Sequence, residues 1–406
     1  MGKKIRVLYD ELGFREAHGG VSRYFTELIK HLPENVEGRC SAVCSNNSYL
    51  QAPPFSLPRM SQDVQSFIRS TLHGHSFPGV SHVYRVCAKL FPRLFPSGEL
   101  QNRRAFAAKV AKGDFDILHI TDPHPYFNCW KPVLGKKPIV ATVHDLIPEL
   151  FQNNIRVRWV REQLMRDASH IIVVSQNTKN DLIRLYHVPD EKISVIYHGY
   201  LPLHGCVKPL GELTCQPATP NYLLFVGKRD GYKNFDFFIR AVAPLLQNDK
   251  SLSVFCTGLT FNANEKALFA SLGIESQVAQ GFVPDDEMPS VFAHALAFVY
   301  PSRYEGFGIP ILDAFAAGCP VVLANASCFP EVAGDAALYF APSDLASLRD
   351  QFARLLHDVS LRDRLVVRSR LRLECFSWSR CAEETANIYR ELMCDMGTIL
   401  VGSHKV

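Results

Sequence analysis

Short apolar runs rich in β-branched residues recur through the first half of the chain, at KIRVLYD (4–10), RCSAVCS (39–45), FDILHIT (115–121), PIVATVHD (138–145), HIIVVS (170–175) and ISVIYHG (193–199). Helical patterns such as GVSRYFTELIKHL and NTKNDLIRLY lie between them. Strands that alternate with helices need crossover connections, and crossovers build parallel sheets covered on both faces. The pattern breaks at HGYLPLHGCVKPLGELTCQPATP (198–220), which is turn-rich and without periodicity. It restarts at YLLFVG (222–227), LSVFCTG (252–258), VAQGFV (278–283), LAFVYP (296–301) and PVVLAN (320–325). Two doubly wound parallel-sheet domains are expected, over 1–200 and 221–380, with a linker at 201–220. A C-terminal helix over 381–406 is expected to return toward the first domain. The chain of 406 residues is 47% hydrophobic, enough for two cores of roughly 150 to 200 residues each.

The remaining bulk properties exclude more than they identify. A formal net charge of +4 is small for this length and by itself argues neither for nor against a nucleic-acid partner, and none is expected. The apolar run after MGKK is too short for a signal-peptide core, and no run reaches the roughly 18 apolar residues that span a bilayer, so a cytoplasmic chain is expected. The 12 cysteines are scattered without a CxxC pair, and they read as reduced and packed rather than as zinc ligands. Asp114-Phe115-Asp116 is a weak metal pattern that turn chemistry before a strand explains. Asp285-Asp286 after Pro284 reads as a helix N-cap.

Open parallel sheets bind ligands outside the carboxyl ends of their strands, which directs attention to four loops. After the first strand, Gly19-Gly20 lets backbone approach a ligand where a helix begins, or makes a plain turn. After PIVATV come His144 and Asp145, and a strand-end histidine is either structural or functional. In VGKRDGYKNF, Lys228, Arg229 and Lys233 form either a solvated basic turn or a diphosphate clamp, since Arg offers a fork of donors and Lys a compact charge. The fourth loop lies in VYPSRYEGFGIPILDAFAAGCPVVLAN (299–325), which reads strand, loop, helix, strand. Gly306 and Gly308 leave backbone amides uncovered at the start of that helix, Glu305 precedes them, and Asp313 lies about one turn in. Asp313 is also a residue that the helix dipole would favour.

Taken in order, HGGVSRYF, VHDLIPE, VVSQNTKNDLI, VGKRDGYKNF, PSRYEGFGIPILDAFAAGCPVV and PEVAGDAALYFAP resemble the retaining glycosyltransferases of family 4. The resemblance runs from about residue 5 to about residue 390 and is weakest over 46–113. It implies the GT-B fold, two facing Rossmann-like domains, with the acceptor bound on the first and a nucleotide-sugar donor on the second. It further implies that Glu305 holds hydroxyls of the donor sugar and that Arg229 and Lys233 bind the diphosphate. Amides around Phe307, Gly308 and Ile309 would assist them, and His144 would contact the sugar near the reacting carbon. The acid eight residues after Glu305 is implied at the ribose. The family usually has Glu there, and this chain has the shorter Asp313. The expected catalytic set is Glu305, His144, Arg229 and Lys233. The expected donor-binding set adds Gly19, Gly20, Phe307, Gly308, Ile309 and Asp313.

Breaking an anomeric carbon–phosphate bond builds negative charge on the departing diphosphate, which fixed cations and amides stabilise. The resemblance implies transfer with retention, from a GDP- or UDP-linked hexose to a glycan or lipid-linked hydroxyl, and the cations Arg229 and Lys233 make a metal or cofactor unnecessary to the expected reaction. Gly20, Ser22 and Arg23 resemble family branches that use GDP-mannose. A dehydrogenase is excluded by the absence of a GxGxxG turn. A nucleotide-sugar epimerase, a phosphorylase of the same fold, and a non-catalytic sugar-nucleotide-binding protein stay open. Between Phe67 and Lys112, arginines and lysines interleave with aromatics, which suits either ordinary amphipathic helices or peripheral contact with the inner membrane face.

Overall fold

The computed structural model describes residues 4–16, 19–51, 53–58, 98–123, 133–202, 207–229 and 231–402, without the side chains of 397–402. The first sheet holds β1 (Ile5–Tyr9), β2 (Val36–Cys40), β3 (Ile117–Ile120), β4 (Ile139–Val143), β5 (His170–Val173) and β6 (Ile193–Val195). Their order is β2-β1-β3-β4-β5-β6, parallel throughout. The second holds β7 (Asn221–Phe225), β8 (Leu252–Thr257), β9 (Val278–Gly281), β10 (Ala297–Tyr300), β11 (Val321–Ala324) and β12 (Leu338–Phe340). Its order is β12-β11-β10-β7-β8-β9, again parallel. Every residue of β4, β8, β10 and β11 is buried, as sheets covered on both faces require. Both domains are Rossmann-like, and the strand order reverses between β1 and β3 in one and between β7 and β10 in the other.

Around the first sheet the chain forms α1 (Gly20–Lys30), α2 (Gly98–Lys112), α3 (Ile147–Leu150), α4 (Ile155–Asp167) and α5 (Gln176–Tyr186). The second domain contributes α6 (Phe235–Asn248), α7 (Ala263–Leu272), α8 (Met288–His294), α9 (Ile309–Ala316), α10 (Phe329–Ala333), α11 (Leu345–His357) and α12 (Val359–Leu373). The last helix, α13 (Trp378–Gly402), packs Trp378, Cys381, Ala382, Ala386 and Tyr389 into one core with Val7, Tyr9 and Phe25 of the first domain. Its Tyr389 hydroxyl meets Tyr9 Oη at 2.8 Å and His119 Nδ1 at 2.5 Å, while His119 Nε2 meets Thr142 Oγ1 at 2.8 Å. This satisfied buried network ties the end of the chain to β1, β3 and β4. The crossing is tight, because a Cβ on Gly199 would lie 2.2 Å from the Trp378 amide nitrogen.

Several local expectations are corrected. The run 39–45 is not a strand throughout, since β2 ends at Cys40. The Asn102 side chain accepts from the amides of Val43 and Cys44 and donates to the Cys44 carbonyl, satisfying groups a ladder would have paired. Asp285 and Asp286 do not cap α8. Asp285 accepts from the Tyr49 hydroxyl, Asp286 pairs with Lys208, and Glu287 occupies the cap position without a side-chain cap bond. Asp114 and Asp116 both form ion pairs with Arg6, which the sequence pattern alone does not show. The stretch 207–215 is strapped to the second domain through Lys208 and Thr214, both bonded to Glu287.

Residues 59–97, most of the basic aromatic segment, lie outside the described residues. Its described end, α2, behaves as an ordinary amphipathic helix: Phe106 is core, and Lys109 donates to the carbonyls of Cys40 and Ser41. No helix among the described residues is long and apolar enough to cross a membrane.

Candidate active site

Lys233 follows β7 and Glu305 follows β10, so both emerge at the place where the second sheet reverses its strand order. The two side chains meet, Lys233 Nζ donating to Glu305 Oε1 at 2.6 Å, with both largely buried. The ammonium also lies 5.2 Å from the Tyr232 ring centroid and 5.4 Å from that of Tyr300, two negative ring faces that help hold a cation. Glu305 is fixed at its backbone, its amide donating to Ser327 Oγ at 3.1 Å and its carbonyl accepting from the Cys328 thiol.

Arg229 is not brought to this pair. Its Nε donates to Glu265 at 2.7 Å and its Nη2 to the carbonyls of Leu259 and Thr260, and its guanidinium lies 4.8 Å from the Phe261 ring centroid. Glu265 also closes the capping box of α7 with Asn262, so Arg229 is anchored to a helix start. Among the described residues only Nη1 is left without a hydrogen bond, and this is the edge from which Arg229 can reach a ligand.

Gly306, directly after Glu305, is one of the places where the two domains touch. A Cβ on Gly306 would lie 1.7 Å from the carbonyl oxygen of His144, so the two backbones touch. Gly308 has φ +88°, a left-handed conformation that suits glycine, and it starts α9 with Pro310 in the first turn. Across the crevice, Gly20 faces Ile309, whose Cδ1 would be 3.3 Å from an added Cβ. One turn further along both helices, Arg23 grips Asp313 with two bonds of 2.8 and 2.9 Å. The segments GGVSR and GIPILD therefore close on each other. Asp313, the acid implied at the ribose, is already engaged by an arginine of the other domain.

His144 lies at the carboxyl end of β4 with Nε2 buried and without a hydrogen-bond partner among the described residues. Burial among Tyr24, Phe25 and His198, then the nearby Arg161, pushes its imidazole down to about 3, so the ring is neutral. A neutral ring has one N–H to donate and one nitrogen to accept. Beside it is a cleft of about 430 Å³, whose walls include Gly13, Gly20, Ser22, Thr121, His144 and Arg161, all from the first domain. Arg161 reaches in from α4, bonded to the Asp145 carbonyl and to Glu149.

The structure adds His198, Glu331 and Tyr304, three side chains to which the sequence assigned no role. Phe307 stacks on His198 at 4.3 Å, and His198 in turn lies parallel to Trp378 at 6.0 Å. Glu331 of α10 accepts from the amides of Gln176 and Asn177 at the start of α5 and from the Tyr197 hydroxyl. Tyr304 donates to Asp181 at 2.9 Å. The acid in PEVAG and the tyrosine beside Glu305 were visible in the sequence, but their partners lie more than 120 positions away. Among the described residues no group of three or more His, Cys, Asp or Glu side chains is arranged to hold a metal ion.

Residues 18–200 match the family described as Glycosyltransferase Family 4, and residues 215–372 match Glycosyl transferases group 1. The chain is 31% identical over 273 residues to O-antigen chain mannosyltransferase B of Escherichia coli, an alignment covering 62% of this chain and 70% of that protein. It is 27% identical over 395 residues to MMP alpha-(1->4)-mannosyltransferase of Mycolicibacterium hassiacum, covering 88% of each. Among solved structures, Anabaena Alr3699/HepE in complex with UDP and glucose superposes with a TM-score of 0.66 at 17% identity, covering 95% of this chain and all of that one.

Proposed function

The chain belongs to glycosyltransferase family 4 and has the GT-B fold, and from that premise we propose that it transfers a hexose, with retention, from a nucleoside diphosphate sugar to a hydroxyl of a glycan or lipid-linked acceptor. The observation that carries the proposal is the Lys233–Glu305 pair at the β7/β10 reversal, one cation and one hydroxyl-binding acid side by side where a sugar diphosphate would lie. The donor displaces this pairing: Lys233 moves to diphosphate oxygens, Arg229 supports them through Nη1, and Glu305 accepts hydrogen bonds from sugar hydroxyls. Amides of Phe307, Gly308 and Ile309 at the start of α9 add fixed partial positive charge. Gly19 and Gly20 let the start of α1 approach from the opposite wall, and Asp313 binds the ribose once released by Arg23. The anomeric carbon–oxygen bond breaks toward the diphosphate, the acceptor oxygen bonds to the same face, and its proton passes to the departing phosphate oxygen. Neutral His144 orients the sugar at the reacting carbon.

Mannose is the sugar to test first, supported by the two mannosyltransferase relatives and by GGVSR. GDP-mannose and UDP-glucose, each labelled, are incubated with a panel of glycan and lipid-linked acceptors, and the product anomer is read by NMR. An α-linked product from an α-linked donor is expected. Conversion of the donor without acceptor would instead indicate an epimerase, and tight binding without turnover a non-catalytic protein.

A further inference from the structure

Helix α4 carries an unusual outer face. Ile155 is 75% exposed and Trp159 52% exposed, and Phe151, just before the helix, is 43% exposed. Successive helical residues turn by about 100°, so Ile155, Trp159, Glu162 and Arg166 fall within an arc of roughly 60°, with Arg158 on one side and Arg156 on the other. All six are exposed, while Val160, Arg161, Leu164 and Met165 form the buried side. The exposed charges are three arginines against one glutamate.

A large aliphatic side chain and a tryptophan one turn apart, ringed by arginines, gain little in water. They match an interface whose depth takes apolar side chains and whose surface is anionic: Trp is favoured at headgroup level, and Arg can bury its stem while its guanidinium meets phosphate. We propose that the outer face of α4 docks on an anionic lipid bilayer surface. The placement gives the docking a purpose. Arg161, on the inner side of the same helix, lines the first-domain cleft. Phe151 lies 5.4 Å from the Tyr232 ring and 5.9 Å from the Tyr304 ring, next to Lys233 and Glu305. A bilayer seated against α4 therefore presents the head of a lipid-linked acceptor to the mouth of the crevice. Only this purpose rests on the proposed transfer reaction, since the docking itself needs neither donor nor acceptor.

The test is sedimentation of the full chain with vesicles of phosphatidylcholine alone or mixed with phosphatidylglycerol, in the absence of substrates. Binding to the anionic vesicles only, weakening with salt, with a blue shift in Trp159 emission, is expected. Each arginine contributes roughly fivefold to such binding, so Arg156→Glu with Arg158→Glu lowers vesicle affinity at least tenfold. Ile155→Ser with Trp159→Ser has a comparable effect, whereas Ile155→Leu with Trp159→Phe retains binding. Thermal unfolding and nucleoside diphosphate affinity stay unchanged in all these variants, which separates lost docking from lost folding or lost donor binding. The proposal is overturned if the wild-type chain ignores anionic vesicles, if the serine or glutamate pair binds them as well as wild type does, or if the wild type is an oligomer that the serine pair dissolves.

Discussion

Gly306→Ala adds one methyl group at a contact between the domains. That Cβ would sit 1.7 Å from His144 O, 2.8 Å from the same carbonyl carbon and 3.2 Å from Asp145 Cβ. Carbon to carbonyl-oxygen contacts begin near 3.3 Å, so the surfaces must separate by about 1.5 Å. Neither side yields cheaply: the obstacle is backbone at the end of β4, and the loop carrying Gly306 is held by the Glu305–Ser327 bond and the Phe307–His198 stack. The φ of Gly306 is not in the left-handed region, so alanine is tolerated by the local backbone and the effect is purely one of separation. Misplacement of reacting groups by about 1 Å is worth on the order of 10² in rate. Steady-state kinetics with labelled donor should accordingly show kcat reduced about 10²-fold or more. Calorimetry should show free nucleoside diphosphate still binding, because Arg229, Lys233, the amides of 307–309 and Asp313, which supply most of its implied contacts, all lie on the second domain. Gly211→Ala, where an added Cβ meets nothing within 4 Å among the described residues, is the neutral control. A folded Gly306→Ala enzyme with wild-type kcat would refute the claim that this contact sets the geometry of the crevice.

The acids should differ in kind. Glu305→Gln should depress kcat while leaving nucleoside diphosphate affinity near normal, and Asp313→Ala should weaken the free nucleotide by about 1 to 3 kcal/mol through loss of a charged hydrogen bond. Arg23→Ala should couple to Asp313→Ala in a double-mutant cycle on stability, and strictly additive effects would mean that the bidentate pair contributes nothing. Lys233→Ala should lower transfer on the order of 10² or more, and near-normal kinetics would remove the lysine from the diphosphate site. Activity should survive saturating EDTA, whereas loss restored by Mg²⁺ or Mn²⁺ would bring a metal into the reaction. Burial pushes His119 and His144 down to about 3, while the unfolded chain protonates them near 6.5. The unfolded state then binds more protons between those values, so stability falls as pH drops from 6.5 toward 3. Asp10, pushed up to about 7 by burial, acts with the opposite sign, losing stability as pH rises from 3.8 through 7. His119→Gln should flatten the acid-side slope in denaturant titrations at several pH values, and an unchanged slope would contradict the burial account.

Ten of the twelve strands among the described residues are legible because a buried parallel strand needs only a short local run of apolar residues, and the sequence shows each run. The same locality explains the two failures. β2 is displaced because Asn102, about 60 positions away, takes over the amides of Val43 and Cys44, and the three-residue β12 is too short to announce itself. The loops after β7 and β10 could be singled out because ligand positions in open sheets follow from strand ends. Which side chains meet there could not. Arg229 and Lys233 lie four positions apart, yet one is bonded to Glu265 and the other to Glu305. Arg23 and Asp313 are separated by 290 positions and meet only because α1 and α9 begin against each other across the crevice. Gly306 reads in the sequence as a glycine that uncovers backbone amides at a helix start, and in the structure it is also the room that the His144 carbonyl occupies. Periodicity and turn chemistry act over a few residues, so they determine strands, helix starts and the loops between them. The pairing of charges and the fit of one backbone against another depend on how two separately folded sheets face each other, and that relation exists only in the tertiary structure.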